Sequence, residues 1–176
     1  MIKLRPLCSK DVDGMLEWMH SEDSKDIFQK DMSSITRDTA LMFIESVSNV
    51  NPDSGEVHYA VVDDSNDEYL GTISLKHIDS ENKKAEYAVS FRKFAHGTGA
   101  ALAATKEILR IAFVDLNLHC IYLNVLTTNE RANAFYKKAG FVYEGTSRES
   151  LYINGDFKSL NWYSIIYRDY CQENML

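Results

Sequence analysis

The sequence predicts a mixed α+β fold in which one central, mostly antiparallel sheet of about seven strands has helices on both faces. Three observations support this prediction: helical patterns come first, three extended segments follow as a meander, and a strand and helix alternation leads to two long closing strands. The chain has 176 residues, of which 45% are hydrophobic and 26% charged. This length and composition suit one globular domain over residues 1–176.

The first elements are a short strand and two helices. Residues 2–7 are extended and contain Pro6, and Ser9 can cap a helix that runs to about His20. A second helical pattern begins after Thr36. Two or three helices are therefore expected before the main part of the sheet.

Three extended segments then form the meander. They cover residues 58–62, 69–78 and 83–91, and their polar connections are short enough for antiparallel hairpins. In the third segment, alternate residues such as Tyr87 share an apolar face, and Glu86 therefore lies on the opposite face.

The next part alternates helix and strand. Helical spacing covers residues 99–116, and a strand over residues 120–125 leads into a helix over residues 131–138. Gly140 suits the position that follows the end of that helix.

Two extended segments close the chain, over residues 141–153 and 157–167. They flank Asn154 and Gly155, and this pair is a strong signal for a type I′ hairpin. About seven strands and four helices are expected in total. This order of elements differs from that of a doubly wound nucleotide-binding fold.

Charge and cysteine content exclude several classes of protein. Lys and Arg number 19 against 26 Asp and Glu, so the net charge of −7 argues against nucleic-acid binding. Cys8, Cys120 and Cys171 are widely spaced and without a CxxC pair, which indicates free thiols and no metal site. We expect a cytoplasmic protein, because neither a signal peptide nor an apolar stretch long enough to span a membrane is evident.

A turn of small residues lies between an apolar strand and the start of a helix, at residues 94–101. Gly97 and Gly99 allow a tight turn, and the first N–H groups of the helix can bind a phosphate. A turn that only joins strand to helix is the alternative. A dinucleotide-binding loop would need a small residue in place of Leu102, and no Walker A string is present.

A second motif covers residues 129–141 and contains Asn129 at a helix start. Tyr136 follows two turns later on the same side, so the two side chains can face one ligand. The alternatives are an ordinary N-cap for Asn129 and a core aromatic for Tyr136.

Taken together and in this order, the two motifs resemble the GNAT N-acetyltransferase superfamily. Residues 96–101 (HGTGAA) resemble its acyl-CoA pyrophosphate loop, usually Gln/Arg-x-x-Gly-x-Gly/Ala, and residues 129–141 resemble its Asn-x-x-Ala-x-x-x-Tyr-x-Lys-x-Gly-Phe segment. His96 stands where the family usually has Gln or Arg, which alters one contact to the pyrophosphate. The strings KLRP, EG and YING resemble the branch of ribosomal-protein N-terminal, spermidine and amino-sugar acetyltransferases.

The resemblance implies an enzyme that transfers an acetyl group from acetyl-CoA to a primary amine by direct attack, without a metal. It also implies that the pantetheine arm lies between two splayed parallel strands, here residues 83–91 and 120–125. The residues that it assigns to cofactor binding are Val89, Ser90, Phe91, His96, Gly97, Thr98, Gly99, Ala100, Ala101 and Asn129.

The catalytic roles follow from the same resemblance. Tyr136 would protonate the departing thiolate, and Glu86 would act as a base through water, unless it is an ordinary strand glutamate. A backbone N–H group of residues 89–91 would stabilise the oxyanion.

The resemblance leaves the acceptor open between a small amine, such as a polyamine or an amino sugar, and a protein N-terminal amine. We expect its pocket among residues 11–43 and 152–163. No nucleic-acid or membrane partner is expected, and a homodimer is left open. A non-catalytic acyl-CoA-binding or regulatory module is the alternative function.

Overall fold

One mixed sheet organises the fold in this computed structural model, which describes residues 1–22, 28–29, 31–153 and 155–174. Within these residues the sheet has seven strands in the order β1-β2-β3-β4-β5-β7-β6, of which only β4 and β5 are parallel neighbours. The predicted fold class is therefore confirmed. The strands are β1 (Ile2–Pro6), β2 (Val57–Asp63), β3 (Tyr69–Asp79), β4 (Lys84–Phe91), β5 (Cys120–Leu126), β6 (Val142–Ile153) and β7 (Asp156–Ile166).

Five α-helices lie in the described part of the chain, one more than the sequence predicted. The additional helix begins at Tyr167, the residue at which we expected the last strand to end. Asp169 accepts a hydrogen bond from the N–H of Ile166 (3.2 Å), and the ring of Tyr170 packs 5.0 Å from that of Phe113. These contacts favour a helical end over further strand. The helices are α1 (Val12–Met19), α2 (Arg37–Val47), α3 (Ala100–Arg110), α4 (Glu130–Lys138) and α5 (Tyr167–Asn174).

Two of the predicted helices are not α-helical over their whole length: the first begins with a 3₁₀ turn, and the third ends with a π-helical turn. Residues Ser9–Asp11 form a single 3₁₀ turn before α1, in which the N–H of Asp11 donates to the carbonyl of Cys8 (2.9 Å). The Asp11 carboxylate also accepts two hydrogen bonds of 2.7 Å from the guanidinium of Arg5. The segment after α3, Ile111–Asp115, continues as a π-helical turn. Its helical extent agrees with the predicted spacing, whereas its hydrogen-bond pattern could not be inferred from that spacing.

The two faces of the sheet carry separate cores. On one face, buried residues of the middle strands pack on α3 and α4; Ile73, Tyr87 and Ile108 belong to this core. On the other face, α1 and α2 pack on the sheet through residues such as Met15 of α1, which shares a core with Ala60 of β2. The predicted arrangement of helices on both faces is thus observed, and each helix pair encloses one side of the sheet.

The closing hairpin has the register that a two-residue turn requires. Ile153 lies opposite Asp156, and Gly155 adopts a φ of 80°. Asn154, the other residue of the predicted turn, lies outside the described residues. None of the helices in the described ranges is long and apolar enough to cross a membrane.

Candidate active site

The parallel strands β4 and β5 separate part of the way along their length. In the described structure they pair over three positions, from Lys84 opposite Cys120 to Glu86 opposite Tyr122. Beyond this point β4 stays paired with β3 to Phe91, and β5 stays paired with β7 to Leu126. The edges that face each other across the gap therefore have backbone N–H and C=O groups available for a ligand.

A cavity of about 1030 Å³ passes through this gap. Most of the residues that the sequence analysis assigned to catalysis or cofactor binding line this cavity. The predicted residues that line it are Glu86, Val89, Ser90, Phe91, His96, Gly97, Ala101, Asn129 and Tyr136.

Three further predicted residues, Thr98, Gly99 and Ala100, build the turn beside the cavity without lining it. Gly99 is the N-cap of α3 with a φ of 87°, and Gly97 has a φ of 78°. A Cβ added at either glycine would meet nothing within 4 Å. Thr98 closes the turn by donating its hydroxyl hydrogen to the carbonyl of Ala95 (2.8 Å). The turn and the first N–H groups of α3 thus form an open concave surface that suits an anion.

His96 connects this turn to the start of α4. Its Nδ1 lies 2.8 Å from Nη1 of Arg131, and its Nε2 lies 3.2 Å from the carbonyl oxygen of Phe91. Because a guanidinium only donates, Nδ1 accepts and Nε2–H donates, which defines a neutral imidazole. His96 therefore anchors the cation of Arg131 at the edge of the cavity.

Asn129 has the capping role that was one of its two sequence interpretations, and it also lines the cavity. Its side-chain oxygen accepts a hydrogen bond from the N–H of Ala132 (3.1 Å) at the start of α4. The side-chain amide nitrogen of Asn129 is not needed for the cap and remains a donor for a ligand.

Tyr136 lies two helical turns later, with 8% of its surface exposed. Its ring stands edge-on to that of Tyr87 (6.0 Å) and packs 5.9 Å from that of Phe141. Burial raises the pKa of Tyr136 to about 12, so the phenol keeps its proton at neutral pH.

Glu86 reaches the gap from the opposite face of the sheet. It forms the last pair of β4 with β5, and Tyr87, its neighbour in sequence, turns to the face of Tyr136. One carboxylate oxygen of Glu86 lies 2.8 Å from Nδ1 of His77, a residue held at a φ of 49° beside an irregularity of β3. The gap is therefore the place where groups from both faces meet.

The half of the cavity on the Glu86 face is lined by residues of α1 and α2 and by described residues that lie between these helices in the sequence. Its aromatic and methionine lining includes Trp18, Phe28, Met32 and Phe43. This agrees with the predicted contribution of residues 11–43, of which 23–27 and 30 lie outside the described residues. The predicted contribution of the final hairpin was wrong for this cavity, because none of the described residues of 152–163 lines it.

Two histidines at or beside the site, His58 and His77, were not singled out by the sequence, and the bond from Arg131 to His96 was not foreseen. Each acts through a partner that is distant along the chain. His58 binds Ser74, His77 binds Glu86 and Arg131 binds His96. No local spacing signals such pairs.

The chain matches the acetyltransferase (GNAT) domain family over residues 2–142. It is 34% identical over 100 residues to YdaF of Bacillus subtilis (strain 168), provisionally named a ribosomal N-acetyltransferase; the match covers 57% of this chain and 55% of YdaF. It is 32% identical over 110 residues to the spermidine N(1)-acetyltransferase of Vibrio cholerae (El Tor Inaba N16961), with 62% of this chain and 64% of that protein covered. The chain thus matches less than two thirds of the length of either relative.

The likeness in structure extends over almost the whole chain. The crystal structure of spermidine N-acetyltransferase from Vibrio cholerae in complex with CoA and spermine has a TM-score of 0.84 over 97% of this chain and 98% of its own, at 24% identity. At this identity the likeness establishes the fold. The family match over residues 2–142, which is most of the sequence, shows that this chain belongs to the GNAT acetyltransferase family.

Proposed function

We propose that this chain, acting as one domain over residues 1–176, transfers the acetyl group of acetyl-CoA to a primary amine. The observation that carries the proposal is the cavity through the gap between β4 and β5, which Glu86 and Tyr136 reach from opposite faces. A thioester held in the gap is then accessible to an amine from one side and to a proton donor from the other.

The residues around the α3 turn fit coenzyme A. The turn of Gly97 to Gly99 is open, and the N-terminus of α3 supplies unpaired N–H groups for the pyrophosphate. Arg131, anchored by His96, adds a positive charge beside it. The exposed edge of β4 at Val89 to Phe91 is available for hydrogen bonds to the pantetheine amides and to the oxyanion.

Removal of a proton from the amine is the most demanding step. An alkylammonium with a pKa of about 10.4 is almost fully charged at pH 7, and its deprotonation costs roughly 4–5 kcal/mol. Glu86, at the head of the gap, accepts this proton through water. Tyr136 then hydrogen-bonds the developing thiolate and donates its proton as the bond from carbon to sulfur breaks. The high pKa of the buried phenol ensures that the donor is present in the resting state.

The comparisons favour a polyamine such as spermidine as the acceptor, because that is the substrate in the name of one relative. The carboxylates of Glu56 and Glu86 line the half of the cavity on the Glu86 face, which suits a cation, whereas the Glu17 carboxylate in this lining is paired with Arg92. The name of YdaF keeps a protein N-terminal amine as the second candidate. The three unpaired cysteines of the described structure support a reducing, cytoplasmic environment.

The test is the release of free thiol from acetyl-CoA with a panel of acceptors: spermidine, spermine, an amino sugar and a peptide with a free N-terminus. We expect thiol release with spermidine. Coenzyme A at about 100 times its dissociation constant should also stabilise the fold by roughly 2.7 kcal/mol. Stabilisation by coenzyme A without thiol release on any amine would instead favour the non-catalytic module. The joint presence of Glu86 and Tyr136 at one cavity argues against that alternative.

A further inference from the structure

His58 is buried in the half of the cavity that faces α2, and one of its ring nitrogens lacks a partner. The residue is 5% exposed, and its Nδ1 lies 2.8 Å from the hydroxyl oxygen of Ser74. Its Nε2 forms no hydrogen bond with any described residue. An unsatisfied buried nitrogen is costly, and in a cavity wall it is a candidate binding point for a ligand.

The carboxylate of Glu56 stands next to this nitrogen. Its Oε2 lies 3.4 Å from Nε2, without the alignment of a hydrogen bond, and its side chain is 45% exposed. Glu56 also lines the cavity, and the ring of Phe43 stands edge-on to the imidazole at 5.1 Å. Because the Glu56 side chain is half-exposed, a change of rotamer can admit a small cation between its carboxylate and Nε2.

The imidazole of His58 is neutral at physiological pH. Burial lowers its pKa, and this effect exceeds the opposing influence of the Glu56 charge. When Nδ1–H donates to Ser74, the lone pair of Nε2 is available to accept a hydrogen bond. A neutral acceptor beside a carboxylate is suited to an ammonium group, which only donates.

The sheet register sets the distance from this point to the reaction centre. His58 lies opposite Ser74, which lies opposite Ala88 of β4, so His58 is on the Glu86 face of the sheet. Two strand spacings separate β2 from β4, which is about 10 Å. Lys76, the basic side chain on the same wall, lies opposite Glu86 in the register.

We propose that Glu56 and His58 form a subsite for a second ammonium group of the acceptor, about 10 Å from the nitrogen that is acetylated. The inference rests on the proposed function and adds to it a length preference. The favoured acceptor is a linear diamine or polyamine that spans the distance from the gap to β2 and has apolar methylene groups along the aromatic wall.

The test compares linear diamines of increasing length with monoamines of the same chain length. Binding is measured by calorimetry in the presence of coenzyme A, so that no reaction is needed. The diamine whose nitrogens are about 10 Å apart should bind about tenfold more tightly than its monoamine, as expected for a hydrogen bond to a charged group. Glu56→Gln and His58→Gln should each reduce this ratio towards one.

Two features make the result decisive. The ratio is taken within each variant, so any loss of folded protein cancels, and Glu56→Gln changes a half-exposed side chain. Glu81→Gln, on an exposed residue outside the cavity lining, removes the same charge and should keep the wild-type ratio. Equal binding of diamine and monoamine by the wild type, or a preference that survives both substitutions, overturns the subsite. Absence of thiol release with every amine would overturn the proposed function. The ratio of diamine to monoamine binding does not depend on that result, because it is measured without a reaction.

Discussion

The surroundings of Glu86 could be inferred only in part from the residues next to it in the sequence. The alternation of apolar residues in β4 places Glu86 on the face opposite Tyr87, as the structure has it. The bond from Glu86 to His77 could not be inferred, because it depends on the irregularity of β3 that gives His77 a positive φ. The two-residue period of a strand predicts the face of the sheet on which a side chain lies. Contacts between side chains of neighbouring strands depend in addition on the register in which the strands pair.

Tyr136→Phe should lower kcat by roughly 10²-fold and leave the KM for acetyl-CoA nearly unchanged. The hydroxyl of Tyr136 has no hydrogen-bond partner among the described residues, so its removal leaves the aromatic packing intact. Steady-state kinetics checks the first part and thermal unfolding the second. An unaltered kcat, under conditions where the chemical step limits turnover, removes Tyr136 from the mechanism.

Glu86→Gln should reduce kcat/KM at neutral pH by roughly 10²-fold and recover part of it at high pH. The reason is that free amine becomes abundant as the pH approaches the pKa of the acceptor. The measurement is a pH profile of kcat/KM for spermidine, with Glu81→Gln as the control for loss of one charge. Superimposable profiles for wild type and Glu86→Gln would dismiss Glu86 as the base.

At the scale of the elements, the strand β4 and the turn that follows it determine where a cofactor can bind. The small residues of the turn are evident in the sequence, and the structure gives Gly97 and Gly99 the positive φ values that such residues permit. The departure of β4 from β5 after Glu86 is a property of the pair, because β4 remains bound to β3 and β5 to β7. Neither strand alone contains a signal for it.

Gly99→Ala should weaken coenzyme A binding by about tenfold and cost about 1–2 kcal/mol of stability. The cost arises because an L-residue is strained at a φ of 87°, and the added methyl group intrudes on the phosphate site. Gly55→Ala is a matched control: Gly55 has the same φ and equally open surroundings, and it belongs to the turn before β2 and not to the turn before α3. Calorimetric titration with coenzyme A and urea unfolding should show equal destabilisation but weaker binding only for Gly99→Ala. Equal affinities would contradict a phosphate role for the turn.

At the scale of the whole molecule, each face of the sheet has its own core, and the cavity passes through the sheet. One site can therefore contain side chains from both faces. The core under α3 and α4 buries Tyr87 and Tyr136, and the core under α1 and α2 buries Tyr69. Burial raises the pKa of each of these tyrosines. The folded molecule therefore holds several phenols that resist ionisation.

The free energy of unfolding should fall as the pH rises above about 10, where tyrosines of the unfolded chain ionise and the buried ones do not. Tyr136, whose folded-state pKa is about 12, accounts for a loss of roughly 1.4 kcal/mol by about pH 11, which is about half of the loss reached above its folded-state pKa. Urea unfolding between about pH 8 and about pH 11 measures the slope. Tyr136→Phe should flatten it, whereas Tyr152→Phe, at a position that is 64% exposed, should not. A slope that Tyr136→Phe leaves unchanged would contradict the raised pKa.

The order of the strands and of the first four helices, the glycine turn, the cap at Asn129 and the face of Glu86 were determined by the sequence alone, because each depends on periodicity or on the backbone preferences of adjacent residues. The resemblance implied that β4 and β5 are splayed, but only the tertiary structure decided that they part after Glu86, that His96 holds Arg131, and that Nε2 of His58 makes no hydrogen bond with a described residue although it lies beside Glu56. These features depend on strand register and on packing between residues far apart in the chain, and such contacts leave no local pattern.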